Sequence, residues 1–355
     1  MIYINGRFLT QNITGVQRFA LEISKEIIKR EKDCIFLVPS LKDLKNKDLT
    51  DLFNIVEIKG GRGHYWEQIT LPIFLLKNKG ASLLNLCNSA PLFYKKQIVT
   101  HHDITYIRYP QSFSMPFRIY YQFFSRFFLK NSKEIITVSE FSKEEISNHY
   151  GIERSKITVV YNAVSAFFSN EGKIKKEDKV GYILAVSSPV YHKNFNKLVT
   201  AFSRTDINLQ LKIVGGIEKN LSNTTKTDSD KRISFVGRVS DDELRSLYSH
   251  AVAFIFPSLY EGFGIPPLEA QACGCPVLSS QNASMKEVLA DSVLYFDPTS
   301  EDQIISVIKK ISNNDVLREL LISNGYSNVT RFSWEKSAAI VHSLIEKINV
   351  QKGSI

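Results

Sequence analysis

An α/β fold built as two doubly wound units follows from three observations on this 355-residue chain. Apolar, strand-like runs alternate with segments of helical periodicity. The alternation breaks at the polar stretch Asn170 to Lys179 (NEGKIKKEDK), which suits a linker, and then restarts. The length is too great for one ordinary core and suits two, each of about 150 to 200 residues. Alternating strands and helices make a parallel sheet covered on both faces. Two such units have a cleft between them, and sheets of this kind bind ligands at the carboxyl ends of their strands.

In the first half, Ile2 to Ile4, Cys34 to Val38, Ile55 to Ile58, Ser82 to Asn85, Ile98 to Thr100 and Glu134 to Val138 read as buried strands. Val16 to Lys29 carries its apolar residues at helical spacing. After the linker, strands are expected at Gly181 to Val186, Leu209 to Val214, Ile233 to Val236, Ala253 to Phe256, Pro276 to Ser279 and Ser292 to Phe296. Helices are expected near Lys193 to Phe202, Asp241 to His250, Pro267 to Ala272 and Glu301 to Ile311. The expected domains are 1–170 and 171–330, followed by a closing segment 331–355. Its helix, near Trp334 to Ile348, can pack on either unit, the N-terminal one included.

Composition excludes several classes. Hydrophobic residues are 43% and charged residues 23%, a globular mixture rather than a disordered or fibrous one. Met1-Ile2-Tyr3-Ile4 opens into a strand without the basic leader and cleavage site of a secretory signal, so a cytoplasmic location is expected. The greasiest region, Phe113 to Leu129, is broken by Pro116, Arg118, Gln122 and Arg126 and cannot supply the roughly 20 apolar residues of a membrane span. Cys34, Cys87, Cys273 and Cys275 lack metal-like spacing and read as reduced, buried thiols. Residues 1–175 hold 25 basic and 16 acidic residues, whereas 176–355 hold 20 of each, so the whole net charge of +9 belongs to the first half. That asymmetry points to an anionic partner. No recognisable RNA or DNA module accompanies it, so nucleic acid is not the expected partner.

The most informative stretch is SLYEGFGIPPLEAQACGCPV, Ser258 to Val277. A glycine-bearing loop here leaves a strand and enters a helix at Pro266-Pro267, residues suited to a first turn. Backbone N–H groups at such a helix start favour a phosphate or sugar hydroxyls. By residue type alone, Glu269 is equally an ordinary first-turn acid and the glycines equally turn residues.

The whole stretch resembles the signature of retaining nucleotide-sugar glycosyltransferases of family 4, the GT-B class, and nearly every position fits. The resemblance implies two Rossmann-like domains facing across a cleft, an N-terminal one for the acceptor and a C-terminal one for the nucleotide sugar. The family's paired glutamates fall on Glu261 and Glu269. Glu269 would bind the donor ribose, and Glu261 would face the transferred sugar and the reaction centre. Gly262 and the amides of Phe263, Gly264 and Ile265 would hold sugar hydroxyls or the diphosphate. GVQRFALEI, Gly15 to Ile23, looks like the family's glycine loop and helix, although Gly15 is equally a helix-start glycine. THHDITYIRYPQSF, Thr100 to Phe113, resembles the His-Asp segment. There His102 would contact the donor sugar and Asp103 would orient it or the acceptor, with a buried, satisfied histidine as the alternative.

TVSEFSKEEI places Ser139 as a helix cap, and VVYNAV, Val159 to Val164, matches the handover to the linker. ILAVSSPVYHKNFNKLVTAF puts Lys193 on the lysine that neutralises the donor diphosphate, followed by Asn194. Two positions depart from the family: Ser187 stands for a frequent glycine and His192 for arginine, which puts phosphate neutralisation in doubt. Arg238 is a candidate helper or a solvated surface arginine.

The chemistry so implied is transfer with retention, the departing phosphate taking the acceptor proton, with Glu261, His102, Asp103 and Lys193 at the reacting centre. No cofactor or metal is expected. The expected partners are a nucleotide-sugar donor and a glycan acceptor carried on a polyprenyl diphosphate. Phe113 to Lys133 interleaves aromatics with Arg118, Arg126, Lys130 and Lys133, as an interfacial helix at the cytoplasmic face of an inner membrane would; the alternative is aromatics in the core and solvated cations. A nucleotide-sugar 2-epimerase of the same architecture is the rival function, and sugar isomerisation without an acceptor separates the two.

Overall fold

The computed structural model describes residues 2–45, 51–78, 81–169, 180–186, 188, 190–216 and 230–350. The linker Asn170 to Lys179 and the departing Ser187 lie outside these. The chain divides into two units, one of residues 1–108, 113–162 and 333–355, the other of 109–112 and 163–332.

The first unit is a seven-stranded sheet formed by β1 (Ile2–Asn5), β2 (Cys34–Val38), β3 (Ile55–Glu57), β4 (Leu83–Asn85), β5 (Gln97–Thr100), β6 (Glu134–Thr137) and β7 (Ile157–Val159). The spatial order is β3-β2-β1-β4-β5-β6-β7, with every pairing parallel. Runs such as Ile2-Tyr3-Ile4 are buried on both faces, as helix-covered parallel strands require. Helix α1 (Gly15–Arg30) starts at a capping box between Thr14 and Gln17. A helical stretch with one π-helical turn, Trp66–Thr70, leads into α2 (Leu71–Lys77). Helix α3 (Met115–Asn131) follows, and α4 (Glu140–Tyr150) is capped by the Ser139 hydroxyl, which accepts from the Ser142 N–H at 2.9 Å. One core cluster gathers Val99, Phe128, Leu129, Ile135 and Ile146, and another Tyr3, Leu37, Trp66, Leu71 and Leu83.

The second unit is a six-stranded parallel sheet of β8 (Val180–Val186), β9 (Gln210–Val214), β10 (Ile233–Gly237), β11 (Ala251–Phe256), β12 (Val277–Ser280) and β13 (Leu294–Phe296), in the order β10-β9-β8-β11-β12-β13. Its helices are α5 (Phe195–Ser203), α6 (Asp241–His250), α7 (Ile265–Ala272), α8 (Met285–Leu289), α9 (Glu301–Ser312) and α10 (Asp315–Val329). Phe202, Leu211, Ala253, Ile255, Leu278 and Ile304 form its core. Both units are Rossmann-like, and in each the strand order reverses beside its first strand: between β1 and β4, and between β8 and β11. Ligands of doubly wound sheets bind at such points.

The closing helix α11 (Trp334–Val350) belongs to the first unit. Trp334 meets Phe19 of α1 edge-on, the Ser337 hydroxyl donates to the Tyr161 carbonyl at 2.6 Å, and Lys347 pairs with Glu134 at 2.5 Å. Cys34, Cys273 and Cys275 are buried and outside any disulfide, whereas Cys87 is only half-buried, contrary to the expectation of four buried ones. Among the described residues no helix is long and apolar enough to cross a membrane.

Candidate active site

In the second unit the reversal point between β8 and β11 carries an ion pair. Lys193 follows β8 and Glu261 follows β11, and Lys193 Nζ lies 2.6 Å from Glu261 Oε1. Their side chains keep 17% and 12% exposure, so the pair is largely withdrawn from water yet not sealed. The two residues stand 68 positions apart, and further hydrogen bonds fix their loops. The Leu259 N–H donates to the His192 carbonyl at 2.7 Å. Asn194 adopts the left-handed conformation, φ 62°, and its amide donates to the Pro257 and Pro298 carbonyls at 3.1 and 2.8 Å. The Ser284 hydroxyl donates to the Glu261 carbonyl at 3.0 Å. Lys193 also lies 5.8 Å from the centre of the Phe256 ring, where cation and ring attract.

The glycine turn then enters α7. Gly264 caps it with φ 84°, a region costly for a residue with a Cβ, and a Cβ there would come within 2.6 Å of Met285 Cε. Gly262 and Phe263 are buried beside it and Ile265 is half-buried. Pro266 and Pro267 carry no N–H, so the donors of the first helical turn lie no later than Ile265. Glu269 sits one turn into the helix, 7% exposed, and its Oε2 accepts from the buried Tyr248 hydroxyl at 3.3 Å. Burial first, then the Glu269 carboxylate, push the Tyr248 pKa well above its ordinary value, so this hydroxyl stays a donor.

His192, standing where the family has arginine, is buried rather than offered to a phosphate. Ser112 Oγ lies 2.9 Å from its Nδ1 and accepts from its backbone N–H at 3.2 Å. Ser112 comes from Tyr109–Ser112, a piece of the first half that groups with the second unit; there Tyr109 approaches Tyr260 with ring centres 5.9 Å apart. Arg238 is exposed just beyond β10, at the edge of the sheet, away from the reversal point.

The remaining candidates belong to the first unit. Gly15 opens α1 with nothing near the place of a Cβ, so its backbone needs no glycine for space. His102 is buried, with its ring edge-on to Phe19 at 5.0 Å and its Nε2 3.4 Å from the Leu86 carbonyl. Burial pushes its pKa down to about 4, and that of His101 down to about 3, so both rings are neutral at pH 7. The alternative of a buried, satisfied histidine thus describes the environment of His102. Asp103 Oδ1 accepts from the Thr105 N–H at 2.8 Å and the Thr105 hydroxyl at 2.6 Å, which fixes the turn after β5.

Sequence reasoning missed Tyr248, Ser284, Phe256 and Ser112. Only Ser112 lay within a quoted family segment; the others act through contacts between segments distant in sequence.

Comparisons with known proteins identify the fold and the family. The profile described as Glycosyltransferase Family 4 matches residues 13–166, and that described as Glycosyl transferases group 1 matches residues 167–328. The O-antigen chain mannosyltransferase RfbU of Salmonella typhimurium is 34% identical over 221 residues, 61% of this chain and 61% of that one. The match therefore spans about three fifths of that relative's length. The O-antigen chain mannosyltransferase B of Escherichia coli is 29% identical over 69% of this chain and 70% of its own. Among solved structures, a sucrose-phosphate synthase from Thermosynechococcus elongatus superposes with a TM-score of 0.76 at 17% identity, covering 99% of each chain, a likeness of fold. The fold class is thus GT-B. Within that class, the chain belongs to the glycosyltransferases of family 4.

Proposed function

We propose that the protein transfers a hexosyl-type sugar from a nucleoside-diphosphate sugar to a growing bacterial surface glycan, with retention of anomeric configuration. The observation that carries this reading is the Lys193–Glu261 pair, 2.6 Å apart at the reversal point of the second sheet and immediately before the helix that bears Glu269. A diphosphate arriving there exchanges one anionic partner of Lys193 for another. The ammonium then stabilises the charge that grows on the leaving phosphate, an effect that preorganised groups make large. Glu261, released from Lys193, faces sugar hydroxyls, while Glu269, oriented by Tyr248, accepts from the ribose. Gly262, Phe263, Gly264 and Ile265 supply backbone donors. In the transfer the acceptor oxygen bonds to the anomeric carbon, the bond from that carbon to phosphate oxygen breaks, and the departing phosphate takes the acceptor proton. No step calls for a metal or a cofactor. His102, neutral and buried, faces the donor sugar, Asp103, fixed by Thr105, orients that sugar or the acceptor, and Arg238 is left as a surface arginine.

The acceptor is a lipid-linked glycan met at a membrane surface. Met115, Ile119, Phe123 and Phe127, four residues apart along α3, are all exposed, and so are Tyr65, Ile69, Ile73 and Leu76 on the helical stretch through α2. The His64 and Tyr120 rings, 4.1 Å apart, join the two stretches. Exposed charges on them are cationic: Lys77, Arg126 and Lys130. Apolar stripes flanked by cations suit an anionic interface. Arg118 is half-buried and does not belong to that surface.

Thermal shift with a panel of nucleotide sugars tests the reading, because a donor stabilises the fold by mass action. One donor should raise Tm in wild type and none in Glu269→Ala. Stabilisation of Glu269→Ala equal to wild type, or rapid isomerisation of the sugar without acceptor, would overturn it.

A further inference from the structure

The reversal point of the first sheet carries a second buried ion pair, and nothing in the donor reading uses it. Asn5 ends β1 and Asn85 ends β4, and the Asn5 amide donates to Asn85 Oδ1 at 3.0 Å and to Glu67 Oε1 at 2.9 Å. Glu67 Oε1 also accepts from the Ser89 hydroxyl at 3.0 Å and lies 3.5 Å from Arg7 Nε; Arg7 in turn donates to Ser89 Oγ at 2.8 Å. Glu67 is 1% exposed, and Arg7 with its other neighbours holds its pKa below the ordinary value against the opposing effect of burial. Its second oxygen, Oε2, is buried with no donor of good hydrogen-bond geometry among the described residues; the His64 imidazole, itself nearly half exposed, lies 3.4 Å away and helps to hold the carboxylate's pKa down. A buried acceptor matched only this loosely, by a side chain that can turn toward solvent, costs stability. Glu67 moreover sits in the π-helical turn Trp66–Thr70, a rare local geometry that recurs at functional sites.

The pair occupies in the first sheet the place that Lys193 and Glu261 occupy in the second. We propose that it is the acceptor-sugar subsite: Glu67, steadied at Oε1 by Arg7, Asn5 and Ser89, receives a sugar hydroxyl at Oε2, and His64 swings out to admit it. This rests on the reading of the protein as a glycosyltransferase. The chemistry favours a neutral polyol, because the carboxylate repels a phosphate while Arg7 already balances its charge. Tyr120 and Tyr121 feel the Glu67 charge and offer aromatic faces of the kind that sugar rings stack on.

Saturation-transfer NMR with methyl α-pyranosides of mannose, glucose, galactose and rhamnose tests the subsite. At least one should receive saturation from wild type, about as strongly from Glu269→Ala, and at least fivefold less from Glu67→Gln. His64→Ala, which alters a half-exposed side chain, should bind the same glycoside more tightly, there being no imidazole to displace. Nucleotide-sugar thermal shift should persist in Glu67→Gln, which also reports its folding; if that variant does not fold, His64→Ala decides alone. The subsite is overturned if no glycoside binds wild type while a nucleotide sugar does, if Glu67→Gln binds as wild type, or if His64→Ala binds no better. Failure of the transferase reading differs: nucleotide sugars then leave the wild-type Tm unmoved.

Discussion

Replacing Lys193 by methionine separates what the Lys193–Glu261 ion pair does for folding from what it does in the proposed donor binding. At 2.6 Å the two charges attract by about 6 kcal/mol at an effective dielectric of 20. Desolvating them costs several kcal/mol per ion, so the intact pair contributes little net stability. Lys193→Met nevertheless strands Glu261 without its partner in a site only 12% exposed. Breaking buried pairs costs 3 to 5 kcal/mol, and the remaining solvent contact puts this one at about 3. For a unit of this size that is a fall in Tm of roughly 6 to 12 °C. The double variant Lys193→Met/Glu261→Gln strands no charge and should recover most of the loss. Neither variant should show the nucleotide-sugar thermal shift. Differential scanning fluorimetry at fixed protein and ligand concentrations reads all of this. Were the single variant as stable as wild type, the pair would hold no coupled energy; were the double variant to regain the donor shift, Lys193 would not be the diphosphate partner.

Four further outcomes are expected. His101 and His102, neutral in the fold with pKa values of about 3 and 4, bind fewer protons than the unfolded chain once pH drops below about 6.5, so their contribution is complete above that pH and is lost as pH falls toward their folded values. Between pH 6.5 and 5 the two together should cost about 3 kcal/mol, read from urea midpoints, and a flat profile would contradict their burial. Gly264→Ala should cost about 1 to 2 kcal/mol for its left-handed backbone and weaken donor binding, whereas Gly15→Ala, in open space, should change stability by less than about 1 kcal/mol. Tyr248→Phe removes the donor to Glu269 and should raise the donor KM with kcat nearly unchanged, at a stability cost of about 1 kcal/mol; an unaltered KM would detach Glu269 from the ribose. Arg126→Glu with Lys130→Glu should weaken sedimentation with anionic vesicles at least about tenfold and leave neutral vesicles unaffected, each basic residue being worth about 1 kcal/mol there; unchanged sedimentation would remove the membrane surface.

Local pattern was enough for most of the strands and helices, because apolar periodicity is written residue by residue. Cys34 to Val38 and Asp241 to His250 appear in the structure with the bounds read from sequence. Several elements escaped that reading, helices α2 and α8 among them. Strand β7 is three residues long and lies in what reads as a handover segment, and helix α10 buries only Leu321, Gly325 and Asn328, so its apolar stripe is too thin to register. The candidate-site residues were legible because Glu261, the glycine turn and Glu269 are contiguous in the chain. The pairing of Lys193 with Glu261, the hold of Tyr248 on Glu269 and the burial of His192 against Ser112 were not, since each joins segments at least 21 positions apart.

By itself, then, the order of residues determined the two parallel sheets, the family and the glycine turn between two acids, all of which are local or consecutive features. Only the tertiary structure decided which strands are neighbours, that the closing helix belongs to the first unit, and that Arg7 and Glu67 meet at the first reversal point as Lys193 and Glu261 do at the second. The physical reason is that burying a charge requires its partner to be delivered from another strand end, and strand order is a property of the packed sheet rather than of any segment within it.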